Sequence, residues 1–202
     1  MTQARAPRAD AVRNRRKILA AAGEQITQHG PEVGMDEIAA AAGVAVGTLY
    51  RHFLTKTDLV AAVVAEYVAR VADDAEAVLA RVADGARAAD ELTAFLGRVI
   101  EKSVTDRAVK AAARTLGAEP GDRADEDRAG AALAALIRAG QADGDIHPDV
   151  TVGDIYLLLS TAPTDQPPAA RARWLALVAP GLTARARPAG SCRPSAPGLP
   201  RA

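Results

Sequence analysis

Cysteine is nearly absent from this chain, Cys192 being the only one. A lone thiol cannot close an internal disulfide, so a disulfide framework is excluded and a reducing compartment is expected. Aromatic residues are scarce, at 3% of the 202 residues. With β-branched runs also few, this argues against sandwiches and barrels. No stretch of about 18 consecutive apolar residues occurs, so no transmembrane helix is expected. The basic start, MTQARAPRADAVRNRRK, is followed by no apolar segment of signal-peptide type. A cytoplasmic protein without a membrane partner is therefore expected. Net charge is lacking too, with 25 basic residues against 25 acidic.

What is present is alanine, which dominates a hydrophobic content of 49% and is the best helix former. The charge is also unevenly spread. Residues 1–56 carry 8 Lys and Arg against 5 Asp and Glu. Residues 57–150 carry 11 against 18, and residues 151–202 carry 6 against 2. A basic start suits a polyanion, whereas the acidic middle would be repelled by one.

Helical patterns run through most of the chain. Residues 1–10, with Pro7 and scattered arginines, read as a flexible arm. A helix is predicted from Ala11 to Gln28, its stripe being Ile18, Leu19, Ala22 and Ile26. Gly30 and Pro31 break it. A short helix fits Met35 to Ala42, with Met35, Ile38, Ala39 and Ala42 inward and Gly43 as its stop. Another fits Val46 to His52, burying Leu49 and with Phe53 beside it. Thr55 and Asp58 form an N-cap pair for a long helix to about Val82. Further helices are predicted from Asp90, from Asp106 to Leu116, and from Arg128 to Gly144. The last two run from about Val150 and from about Ala169 to Val178. Residues 187–202, rich in Pro, Gly, Ser and Arg, read as a disordered tail.

Two short helices around a glycine turn make a helix-turn-helix unit, whose second helix enters the major groove of DNA. Gly47 lets backbone approach a phosphate or base, and Thr48 can donate to a phosphate. Tyr50, His52 and Lys56 add donors, and Arg51 suits a phosphate or a base. Val46 can touch a thymine methyl. Arg15 and Arg16, with Arg13 and Lys17, add charge on the first helix. Each has a plainer reading, as a solvated face or, for Tyr50 and Phe53, as core.

The stretch MDEIAAAAGVAVGTLYRHFLTKTDLVAAV, Met35 to Val63, resembles the signature of the TetR (tetracycline repressor) family of bacterial transcriptional regulators. That resemblance implies an all-α fold: an N-terminal three-helix DNA-binding domain joined by a long helix to a C-terminal helical domain. The expected division is residues 11–56 for the head and 57–186 for the effector-binding and dimerisation domain. It implies a homodimer on a palindromic operator, an unknown small-molecule effector, and no cofactor or catalytic activity. The dimer face would be built chiefly from the last two helices. Ala45 and Gly34 depart from the capping serine and threonine common in the family. Candidate lining residues for the effector pocket are Tyr67, Phe95, Val99, Leu133, Ile137 and Tyr156. Each also fits a core position, and the scarcity of polar groups there points to a modest, apolar ligand.

Two other readings compete. The head would serve an architectural DNA-binding protein without an effector equally well. Asp143, Asp145, His147 and Asp149 stand at two-residue spacing, which invites a metal reading. They lack the closing glutamate of a calcium loop. A loop in which Gly144 ends one helix and Asp149 starts the next needs no metal.

Overall fold

The protein is described by a computed structural model covering residues 5–118 and 123–184, with side chains described at most of these. Its elements are α1 (Arg5–His29), α2 (Met35–Ala42), α3 (Val46–His52), α4 (Lys56–Ala83), α5 (Ala88–Leu116), α6 (Ala124–Ala142), α7 (Val152–Thr161) and α8 (Pro168–Val178). A single 3-10 turn, Ala179–Leu182, follows α8. The described part is thus all-α. An isolated bridge pairs Ile146 with Thr183.

Several elements have the bounds their sequence predicts. Helix α2 buries Met35, Ile38, Ala39 and Ala42, and stops at Gly43, whose φ is 65°. The N–H groups of Gly43 and Val44 return to the carbonyls of Ala40 and Ala39, closing the helix as a left-handed glycine allows. Helix α4 begins on a reciprocal cap: Asp58 N–H donates to Thr55 Oγ1 at 3.0 Å, and Thr55 N–H to Asp58 Oδ2 at 3.1 Å.

Other expectations need correction. Helix α1 begins at Arg5, within the expected arm. Pro7 falls in its first turn, where backbone N–H groups have no intrahelical partner to lose. Helix α5 is one continuous helix of 29 residues, where two were expected. Its N-cap is Arg87, and Asp90 lies in the first turn. The polar and β-branched residues between the two expected helices cost only some tenths of a kcal/mol each in helix propensity, which packing at both ends outweighs. Asp149 does not start α7. Thr151 does, through a cap with Asp154, while Asp149 pairs with the buried His147. The expected disordered tail lies outside the described residues.

Two apolar cores result. The first gathers Ile18, Ala22, Ile26, Ile38, Leu49, Phe53, Leu59 and Val60 from α1 to α4. It is completed by Val109, Ala112 and Ala113 of α5. The second holds Val78, Leu92, Phe95, Leu96, Leu133, Leu136, Ile146 and Ile155. Helix α5 therefore runs through both, its first half in the second core and its last turns in the first. Gly97 on α5 makes room for Leu175 of α8, which a Cβ would approach to 3.3 Å.

Candidate nucleic-acid interface and ligand cavity

The interface begins with what pins α3. Leu49 is fully buried and is the helix's one buried residue, with Phe53 buried just beyond its end. The opposite side is open. Tyr50 is 43% exposed and Val46 41%. Gly47 and Arg51 are exposed, and Thr48 and His52 half-buried. A Cβ built on Gly47 meets nothing within 4 Å. The fold itself thus does not require glycine there. Ala45 caps α3 without a side-chain hydrogen bond, and Gly34 does the same for α2. At Gly34 the Glu37 carboxylate still accepts from the backbone N–H at 2.7 Å, which keeps half of a capping box.

Neighbouring cations frame this surface. The Lys56 ammonium donates to the Pro31 carbonyl, tying the start of α4 to the α1–α2 loop. Arg15 lies over the Phe53 ring at 5.6 Å and 4.0 Å from Glu66, so part of its side chain braces the head. Arg16 and Lys17 are exposed on the same helix.

The body is held by ion pairs. Arg98 grips Asp74 through two bonds of 3.0 Å. Arg128 reaches Glu76, Asp73 and Asp125 at 2.7 to 2.8 Å, which stabilises its charged form further. Arg81 holds the Glu91 carboxyl below the usual carboxylate range. Arg171, only 7% exposed, donates to both Glu101 oxygens and to the Gln166 carbonyl. It lowers the Glu101 pKa in the same way. Sequence reasoning missed this buried arginine, because nothing in its local pattern marks Arg171 as inward.

Two clefts flank α4 and α5. One, of about 310 Å³, lies between α1, α4 and α5, and includes Leu19, Val63, Tyr67, Val71, Val99 and Lys102 in its wall. The other, of about 890 Å³, lies among α4 to α7, and includes Tyr67, Val68, Val71, Val99, Val152 and Tyr156. Tyr67, Val99 and Tyr156 are therefore brought to a cavity wall. Phe95, Leu133 and Ile137 are not: they are packed in the second core. They take the core role that each candidate also fits, because an apolar helix position alone does not distinguish a cavity wall from a filled interior. The walls also carry charged groups, among them Arg70 and Lys102 in the smaller cleft, so they are less apolar than expected. In the 143–149 loop, Asp145 pairs with Arg87 at 2.8 Å. Among the described residues no three potential metal ligands gather. No helix there is long and apolar enough to cross a membrane.

A helix-turn-helix head with an open second helix, carried on an all-helical body with clefts, defines a DNA-binding transcriptional regulator. Residues 18–63 match the family described as bacterial regulatory proteins, tetR family. Residues 87–184 match the C-terminal domain of SbtR-like transcriptional regulators. A TetR transcription regulatory protein from Mycobacterium vanbaalenii is 34% identical, with a TM-score of 0.72, covering 87% of this chain and 98% of that one. The TetR transcriptional regulator SCO0520 from Streptomyces coelicolor is 32% identical, with a TM-score of 0.71, covering 84% and 98%. No curated protein matched. The chain belongs to the TetR family of transcriptional regulators.

Proposed function

We propose that the protein is a homodimeric repressor that binds an inverted-repeat operator and leaves it when a small molecule enters its body. The observation that carries this reading is α3. Its one buried side chain anchors it, while the side chains of Tyr50 and Arg51 are exposed and make no hydrogen bond or ion pair with any described residue. In this reading α3 lies in the major groove. Val46 meets a thymine methyl, and Gly47 admits the DNA backbone. Thr48, Tyr50 and Lys56 donate to phosphates; Arg51 and His52 reach phosphate or base edges. Lys56 keeps donor capacity beyond its bond to Pro31, since an ammonium has three protons. Arg15 and Arg16 add backbone contacts from α1.

Residues 11–56 form the head in this proposal, with α1 extending before it, and residues 57–186 form the body. Helices α7 and α8 supply the face for a second copy: Tyr156, Leu157 and Leu177 are 51, 60 and 63% exposed. Apolar side chains left open on consecutive helices suit a self-complementary interface. The effector occupies the cleft walled by Tyr67, Val99 and Tyr156. It acts only through different affinities for the DNA-bound and released states. Helix α5 offers the mechanical link, because it belongs to both cores.

Fluorescence anisotropy with DNA flanking the protein's own gene tests the head. Tyr50→Phe and Lys56→Ala should each weaken binding about tenfold on all sequences, as loss of a bond to a charged phosphate does. For Lys56→Ala the salt dependence should also flatten by about one unit of slope. Unchanged binding at several salt concentrations removes these residues from the interface.

A further inference from the structure

Helix α5 carries Arg107, Lys110 and Arg114 at spacings of three and four residues, which places them on one face. That face turns away from the head core, which α5 meets through Val109, Ala112 and Ala113. The three cations line a cleft of about 630 Å³ against the α7–α8 connection, with Ser160 and Thr161 beside them. Among the described residues of that wall, Asp165 is an acid. Arg107 donates to the Thr164 hydroxyl at 3.1 Å, and Lys110 lies over the Tyr67 ring at 5.4 Å. Ser103, Lys110, Leu159 and Ser160 belong equally to the wall of the α4–α7 cleft. That cleft is also lined by Val68, Val71, Val99 and Val152, and by Arg123, Glu126 and Asp127. Arg123 and Glu126 face each other at 3.8 Å. The two clefts thus share Ser103, Ser160 and Lys110, with valines lining one and Arg107 and Arg114 the other, within a chain segment whose overall charge is acidic.

We propose that the body binds an amphipathic organic anion, its apolar part against Val71 and Val99 and its carboxylate or phosphate against Arg107, Lys110 and Arg114. This deepens the effector reading above and rests on it for its regulatory meaning, though binding can be tested separately. Arginine forks and an ammonium are the groups that hold such anions, and charge-assisted bonds are their strongest contacts. The valine wall gives the apolar part a place out of water.

Calorimetric titration of the full chain with four monomeric twelve-carbon probes tests it: dodecanoate, dodecyl phosphate, dodecanol and dodecyltrimethylammonium. Both anions should bind about tenfold tighter than the alcohol, the worth of one charge-assisted bond, and the cation should bind weakest. The tighter of the two anions identifies the headgroup as carboxylate or phosphate. The double variant Arg107→Ala/Arg114→Ala alters two exposed side chains. It should bring the anions down to the alcohol's affinity and leave the alcohol unchanged. Val99→Trp should weaken all probes that bind. Equal affinity for dodecanol and the anions, tighter binding of the cation, or no binding of either anion overturns the proposal. A parallel DNA-release assay separates the two readings. Anion binding without DNA release contradicts the effector reading and leaves this site standing. Release by dodecanol alone, with no anion bound, does the reverse.

Discussion

In the head, Arg16, Lys17 and Arg51 face no acid among the described residues, whereas in the body Arg81, Arg87, Arg98, Arg128 and Arg171 each grip at least one. The two regions use the same residue type for different ends. Paired arginines fix body helices to one another: Arg98 joins α5 to α4, and Arg171 joins α8 to α5. Unpaired ones keep their hydrogen-bonding capacity for something outside the chain. Arg16, Lys17 and Arg51 are therefore accessible charge, whereas these five body arginines are internally paired.

The comparison breaks most severely if head and body unfold separately. Phe95 is fully buried in the second core, on the helix that also closes the first. Phe95→Ala should cost about 3–5 kcal/mol. Chemical denaturation followed by head and body probes should still show one transition. Two separated transitions would show that α5 does not couple the cores.

One substitution type, made in each region, sharpens the contrast. At Gly140 in α6 a Cβ would lie 2.6 Å from Ile146 and 2.8 Å from the Ala88 Cβ. Gly140→Ala should therefore destabilise by about 1–3 kcal/mol, as overpacking does. At Gly47 the space is open. Gly47→Ala should stabilise the free protein by about 0.5–1 kcal/mol through helix propensity, yet weaken DNA binding. Thermal melts and anisotropy on the same two variants decide it. Equal melting temperatures for both would contradict the packing argument at Gly140.

The smallest effect concerns pH. Glu91 and Glu101 are held below the ordinary carboxylate pKa by hydrogen bonds from Arg81 and Arg171. A depressed carboxylate contributes stability fully above its unfolded value, about 4.5. That contribution is lost as pH falls through the folded value. Stability measured by denaturant between neutral and acid pH should decline below that point, and Glu101→Gln should flatten the decline. An unchanged acid slope would show that the Arg171 pair adds nothing beyond holding α8 in place.

The head was far more legible than the body, for a physical reason. Its short helices are set by local signals: a left-handed Gly43, the Thr55–Asp58 cap and the single buried Leu49 on α3. Local signals can be read locally. In the body, α5 holds together across Ser103 to Thr105 because distant residues pack on both its ends. Arg171 is buried because Glu101, seventy positions earlier, meets it. Phe95, Leu133 and Ile137 fill the second core, Tyr67 and Tyr156 reach a cleft and Val99 belongs to both, since only the assembled bundle decides which face meets a void. The same holds for the 143–149 loop, where Asp145 belongs to Arg87 of another helix.

The central claim is that α3 and the unpaired cations of the head read DNA. DNase footprinting of the purified protein on the DNA flanking its own gene tests it most directly. The account predicts a protected inverted repeat, its halves separated by one helical turn or a multiple, and persisting as salt is raised. Uniform weak protection that vanishes with salt would contradict it, and would mark the head as a sequence-blind, architectural DNA binder.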